Sequence, residues 1–216
     1  MQQQKLLNDA RLYALVDTRP DEETFRQFIT DIIAGGVDII QLRDKQAGDR
    51  TLLDRSRMLK NCIAASGREV LFIMNDRPDL AVLAGADGVH VGQEELPVAL
   101  VRQIVGELLV GVSTHSIDQA RQAILDGADY IGAGPVFPSQ TKEFTQFPGL
   151  DYLREVAAAL CLSPQQGLTV AKAIPVFAIG GITAERLDEV YQTGIHRVAV
   201  SSALLDNPSF FKHTTR

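Results

Sequence analysis

Cations, carboxylates and small hydroxyl or glycine residues recur just after short apolar runs in this chain. Gln41, Leu42, Arg43, Asp44 and Lys45 close one run, and Asn75, Asp76 and Arg77 close another. Gln93, Glu94 and Glu95 follow a third, and Ser113, Thr114 and His115 a fourth. Lys142 lies in the polar stretch GPVFPSQTKEFTQFPG (134–149), beside Ser139, Gln140 and Thr141. Gly180, Gly181, Ser201 and Ser202 follow the last two runs. Brought together, Arg43, Lys45 and Lys142 would pair a planar guanidinium fork with two mobile ammonium groups, a set suited to phosphate oxygens. Asp76 and Glu95 supply hard oxygen ligands, and magnesium commonly binds one or two carboxylates plus substrate phosphates. Cations, carboxylates and a metal at one place imply a diphosphate. The paired glycines and paired serines would offer donors to a second, separate phosphate.

Each group also has a structural use. Arg43 and Lys45 suit an ordinary solvated strand end. Asp76 can open the turn DRPD. His90 fits a hydrogen-bonded interior residue better than a ligand. His115 belongs to the helix start STHSIDQA, where Ser116 is a natural cap. Phe137, Phe144 and Phe147 can pin a loop to the body. What favours chemistry is convergence, because the structural uses do not require these groups to face the same way.

The elements that must position them follow from a pattern met four times. It reads AGGVDIIQL (34–42), AGADGVHVG (84–92), DGADYIGAG (126–134) and TGIHRVAVS (193–201). In each, a glycine (Gly36, Gly85, Gly127, Gly194) can take the left-handed conformation that ends a helix. An apolar run then starts, as a buried parallel strand would. Eight strands are expected: 12–16, 37–42, 70–74, 88–91, 109–112, 130–133, 176–179 and 197–200. Helical stretches lie between most of them, among them 22–34, 49–66, 116–126, 149–160 and 184–193. Eight alternating units predict an α/β chain folded as a (β/α)8 TIM barrel, at the small end of that fold's range of about 200–400 residues. An open doubly wound sheet is the runner-up, but no G-x-G-x-x-G opens the first helix.

The totals set bounds. The 216 residues read as one domain, with 1–10 as an N-terminal extension and 134–149 as a candidate active-site lid. Apolar residues are 45% and charged residues 22%, ordinary for a globular domain. A net charge of −6 argues against coating nucleic acid or an anionic membrane. No stretch approaches the ~18 apolar residues a membrane helix needs, and MQQQKLLNDA lacks a signal-peptide pattern. Cys62 and Cys161 have no metal-like spacing and read as reduced packing residues of a cytoplasmic protein.

With these residues in order, the chain resembles the thiamine-phosphate synthase family. The likeness runs from LYALVD to VAVSSAL and rests on QLRDK, NDRPDLA, ADGVHVGQEELP, GVSTHS, GPVFPSQTK and AIGGIT in sequence. It implies a TIM barrel and a magnesium-dependent transferase. The reaction implied joins an aminopyrimidine methyl diphosphate to a thiazole phosphate, releasing pyrophosphate by a dissociative route. By position, Gln41, Leu42, Arg43, Asp44, Lys45, Asn75, Ser113 and Lys142 would meet the pyrimidine diphosphate, with Arg43, Lys45, Lys142 and Ser113 acting on the leaving group. Asp76 and Glu95 would hold Mg2+. Ser139, Gln140 and Thr141 would touch the thiazole phosphate, and Gly181, Ser201 and Ser202 its phosphate. The partners implied are these small molecules, with no nucleic acid and no membrane; a homo-oligomer is left open. Three departures stand out. Glu95 replaces the family's usual Asp, Ser139 replaces a usual Thr, and 161–173 is longer than the usual link and is expected to loop on the face opposite the substrates. The alternatives are a thiazole tautomerase of the same superfamily and a non-enzymatic regulator binding a thiamine precursor. QLRDK, Asp76 and Lys142 speak against both, since neither has a diphosphate to release.

Overall fold

Glycine ends the helix before each even-numbered strand. Gly36, Gly85, Gly127 and Gly194 have φ of 106°, 60°, 90° and 92°, the left-handed region that an L side chain rarely adopts. In three of the four junctions an aspartate follows and locks the turn to the strand before it. Asp38 Oδ2 accepts from the Leu12 N–H at 2.9 Å, Asp87 Oδ2 from Phe72 at 2.8 Å, and Asp129 Oδ2 from Val110 at 2.9 Å. The fourth junction carries Arg197 there instead, and its Nε donates to the Ala10 carbonyl at 3.1 Å. These contacts satisfy backbone groups that the strand starts would otherwise leave open.

The structure, a computed structural model, describes residues 2–138, 147–161, 174–201 and 203. Eight parallel strands close into a barrel in chain order: β1 Leu12–Val16, β2 Ile39–Leu42, β3 Leu71–Asn75, β4 Gly88–Val91, β5 Leu109–Thr114, β6 Tyr130–Ala133, β7 Val176–Ile179 and β8 Val198–Val200. Helices α1 Gln2–Asp9, α2 Glu22–Gly35, α3 Asp49–Ser66, α4 Pro78–Ala84, α5 Val98–Val105, α6 Ile117–Leu125, α7 Gly149–Val156 and α8 Leu187–Tyr191 complete the order. The expected TIM barrel is present. Strands β2 and β8 begin later than predicted, β3 is shifted by one residue, and β5 runs on to Thr114. The stretch expected as helix over 149–160 is α-helical only to Val156, followed by a π-helical turn Ala157–Cys161. The stretch 184–193 is split into a 3₁₀ turn Ala184–Arg186 and the short α8. Ser116 caps α6 as expected, accepting from the Gln119 N–H. Among the described residues no helix is long and apolar enough to cross a membrane.

Alternation along each strand divides the core in two. One set, including Val16, Ile40, Phe72, Met74, Val89 and Val110, faces the helices. The other packs inside the barrel: Tyr13, Ile39, Leu71, Ile73, Leu109, Tyr130, Phe177 and Ala199. Leu7 of α1 joins this inner set, with Leu6 packed against it. The N-terminal extension is thus a helix that covers the strand-start end of the barrel, and Gln3 ties it to Asp87 at 2.8 Å.

The interior is shaped by one close approach. Tyr130 lies over β5 where that strand has Gly111, and a Cβ there would stand 2.1 Å from Tyr130 Cζ. Phe177 meets both Tyr13 and Tyr130 edge-on, with centroids 5.4 and 5.8 Å away. Gly111→Ala is therefore expected to destabilise the fold by about 1–3 kcal/mol or more, as overpacking does. Urea denaturation measures this, and an unchanged midpoint would show that the ring can move aside.

Candidate functional site

All eight strands end at one mouth, and the residues just beyond them come from separate elements. From the loop after β2, Lys45 extends its ammonium to the loops after β3 and β4. Its Nζ lies 3.3 Å from Asp76 Oδ2 and 3.8 Å from Glu95 Oε1. Two carboxylates from different loops therefore share one cation. Lys45 is half exposed, so the ion pairs contribute little to stability.

Backbone geometry sets both carboxylates. Asp76 has φ of 58°, left-handed for a non-glycine residue. Its N–H donates to the His90 carbonyl at 2.8 Å, and the next N–H, of Arg77, returns to Asn75 at 2.7 Å. A residue held in this region at a strand end is a common mark of a functional position. Arg77 anchors the turn by pairing with Asp49 and Asp79 at the starts of α3 and α4. Glu95 lies against Gly92, where a Cβ would come within 2.5 Å of Oε2. The longer arm of glutamate is thus folded back over a position that has no side chain.

The fit of a metal can be judged from these donors. Among the described residues no three His, Cys, Asp or Glu gather as a cage. Two carboxylates around one cation position are what a hard divalent ion needs when phosphate and water complete its shell.

The other expected residues fall as follows. Arg43 is half buried and has no salt bridge among the described residues. Asp44 turns inward: it accepts from the Thr18 hydroxyl at 2.6 Å and from the Gln46 and Ala47 N–H groups. The Thr18 hydroxyl bond, foremost, holds its carboxyl below the usual range. That carboxylate braces two loops, and Leu42 is buried against the helices. Asn75 ends β3 in register with His90. Gly180 and Gly181 have φ of 102° and 61°, and Val136 and Phe137 donate back to Ile179 and Gly180. Arg186 stacks over Phe137 at 4.7 Å and donates to the Gly181 carbonyl at 2.9 Å. Phe137 is thus pinned, as its structural reading expected. The β7–β8 register pairs Ile179 with Ala199, which brings Gly181 and Ser201 to adjacent points of the rim. Ser139, Gln140, Thr141, Lys142, Phe144, Ser202 and 162–173 lie outside the described residues.

His90 is a hydrogen-bonded interior residue, as read from the sequence. Its ring nitrogens lie 3.2 Å from the Tyr130 hydroxyl and 2.9 Å from Ser113 Oγ. Burial, and secondarily the charge of Arg43, pushes its pKa down to about 4, so the ring is neutral near pH 7. Tyr13 and Tyr130 were not among the candidates. Only their position inside the barrel, a property of strand parity, signals them.

A family model described as thiamine monophosphate synthase matches residues 12–204. The chain belongs to that family. The thiamine-phosphate synthase of Rhodopirellula baltica is 48% identical over 199 residues, covering 92% of this chain and 51% of that protein. That of Mycolicibacterium vanbaalenii is 41% identical over 211 residues, covering 94% of this chain and 90% of that protein. The chain therefore spans about half the length of the first relative and most of the second. The solved thiamine phosphate pyrophosphorylase from Pyrococcus furiosus superimposes with a TM-score of 0.78 at 32% identity, covering 97% of this chain and 94% of that one. The family and the fold agree with the resemblance carried by QLRDK, NDRPDLA and GPVFPSQTK, and the function shared by these relatives is thiamine-phosphate synthesis.

Neutral His90 makes stability depend on pH. The unfolded chain takes up a proton near 6.5 and the folded one only near 4. Between those values the unfolded state binds more protons, so stability is lost as pH falls. From pH 7 to pH 5 the wild type should lose roughly 2 kcal/mol that a His90→Asn variant does not. Urea denaturation of both at the two pH values tests this, and parallel losses would count against it.

Proposed function

We propose that this barrel makes thiamine phosphate by transferring an aminopyrimidine methyl group from its diphosphate to the nitrogen of a thiazole phosphate. The observation that carries the reading is the meeting of Lys45, two residues after Arg43 in the chain, with Asp76 and Glu95 at 3.3 and 3.8 Å, in a chain of net charge −6. An acidic protein that brings a lysine and two carboxylates from three strand ends to one point is suited to a metal-bound diphosphate.

In this reading the bond from the pyrimidine methylene carbon to the diphosphate breaks first, and its electron pair leaves with the diphosphate. The electron-rich aminopyrimidine carries the resulting positive charge. The thiazole nitrogen then gives its lone pair to that carbon, and thiamine phosphate and pyrophosphate result. No side chain has to act as a nucleophile. Arg43, Lys45 and Lys142 hold the departing oxygens by preorganised charge, with Asn75 and Ser113 as neutral donors. Asp76 and Glu95 would hold Mg2+, which would supply charge neutralisation on the diphosphate. Lys45, half exposed beside those carboxylates, is long and mobile enough to reach a phosphate oxygen. Gln41 orients the pyrimidine, while Leu42 and Asp44 act through backbone and loop bracing. Ser139, Gln140 and Thr141 meet the thiazole, and Gly181, Ser201 and Ser202 its phosphate. Residues 134–149 act as a lid that keeps water from the cation. A cytoplasmic setting, where both phosphorylated substrates are at hand, completes the reading.

Mixing the protein with both substrates and Mg2+ should give thiamine phosphate and pyrophosphate in equal amounts by mass spectrometry. Rearranged thiazole phosphate alone would point to a tautomerase, and binding heat without product to a regulator. Lys142→Ala should lower kcat by about 10²–10³; native turnover in that variant would remove it from the mechanism. Asp76→Asn should raise the Mg2+ concentration for half-maximal rate, and an unchanged titration would unseat it as a metal ligand.

A further inference from the structure

A single hydrogen-bonded chain crosses the barrel interior and joins two residues of the mouth. Gln41 Nε2 donates to the Tyr13 hydroxyl at 2.8 Å, and the Tyr13 and Tyr130 hydroxyls lie 3.0 Å apart. Tyr130 then meets His90 Nδ1 at 3.2 Å, and His90 Nε2 meets Ser113 Oγ at 2.9 Å. Tyr13, Tyr130, Gln41 and His90 are all buried. Among the described residues no side-chain nitrogen or oxygen that is itself sealed from solvent lacks a partner.

Proton counting gives this chain a direction. Tyr13 accepts from Gln41, and its other recorded polar neighbour is the Tyr130 hydroxyl, so its own proton goes there. Tyr130 accepts that bond and has His90 Nδ1 left to donate to. A neutral imidazole that accepts at Nδ1 carries its proton on Nε2, which then donates to Ser113 Oγ. Ser113 has received its bond, and its hydroxyl proton remains for a ligand. At the other end the amide nitrogen of Gln41 is engaged with Tyr13, and its Oε1 takes no hydrogen bond from a described residue.

We infer that Tyr13, Tyr130 and His90 are positioning residues that polarise this chain in one sense, fixing Gln41 as an acceptor and Ser113 as a donor toward the ligand. The inference deepens the function proposed above and takes the ligand's identity from it. An exocyclic amino group donates to Gln41, and a diphosphate oxygen accepts from Ser113. A ligand with the opposite polarity at either point leaves a desolvated group unpaired, which disfavours it more strongly than a misfit of shape.

Two measurements test this separately from the synthase assay. Long-range proton–nitrogen NMR of histidine-labelled wild-type protein near neutral pH reads the tautomer of His90 directly. Protonation on Nε2 is expected, and protonation on Nδ1 overturns the inference whether or not thiamine phosphate is made. The second is a double-mutant cycle. Tyr130→Phe should lower kcat/KM for the pyrimidine diphosphate about tenfold in the wild-type background. In a Ser113→Ala background the same change should cost no more than about twofold, because its route to the ligand is already gone. Equal losses in both backgrounds show a merely structural role and overturn the inference. Thermal melts report whether each variant folds, and if Tyr130→Phe does not, the wild-type tautomer decides. Absence of product from the wild type would sink the proposed function while leaving the tautomer result standing.

Discussion

Closing a parallel sheet on itself sends every second side chain into a space that water does not freely enter. Each polar group placed there must find a partner or cost about 1–3 kcal/mol. This barrel meets the constraint by layers. Leu6 and Leu7 of α1 meet the inner core at the strand starts, and Tyr13, Tyr130 and Phe177 add tilted and edge-on ring contacts within it. Polar residues follow only toward the mouth, where Gln41, His90 and Ser113 are bonded to or through those tyrosines. The rim is therefore not a set of independent side chains on loops. Part of it is the upper end of the packed interior, and the rigidity of that interior passes directly to Gln41, His90 and Ser113.

The same alternation explains what the sequence made legible. Gln41, Asn75 and Ser113 fall two, four and four residues after the inward Ile39, Leu71 and Leu109. Apolar runs and junction glycines are local signals, so the strands, the barrel and the order of the rim residues could be read from them. Contacts between distant positions could not. Tyr13 and Tyr130 are 117 residues apart, and neither LYALVD nor DGADYIGAG says that they meet. The aspartates of the repeated junctions stood in plain view, but their role depends on an N–H of the preceding strand, supplied by tertiary structure. QQQKLLND has only two leucines, and it becomes a buried-face helix because the open end of a barrel is there to receive them. The end of β5 was placed early because Ser113 and Thr114 are polar. Thr114 is nevertheless fully buried, bonded to the Gly132 carbonyl and to Tyr152.

Electrostatics at the mouth follow a different logic, because these groups are partly in water. Asp76 and Glu95 repel one another, and Lys45 is placed where it offsets that repulsion. The arrangement holds the carboxylates ready without committing them, since an exposed ammonium leaves at small cost. A divalent ion, as proposed for this site, would bring twice the charge to the same oxygens and its own affinity for phosphate. The backbone at Asp76 does commit: its left-handed φ costs roughly 1–3 kcal/mol for a non-glycine residue. The bond to the His90 carbonyl and the two ion pairs of Arg77 over-determine the turn.

That contrast bears on the glutamate at position 95. A glutamate carries its carboxylate one methylene farther from the backbone than an aspartate. Here the neighbouring Gly92 leaves an opening, and the Glu95 carboxylate lies in it, 2.5 Å from where a Cβ would stand. The extra methylene is taken up by folding back rather than reaching out, and Oε1 still meets the Lys45 ammonium shared with Asp76. The extra length at position 95 is thus matched by the absence of a side chain three residues before it.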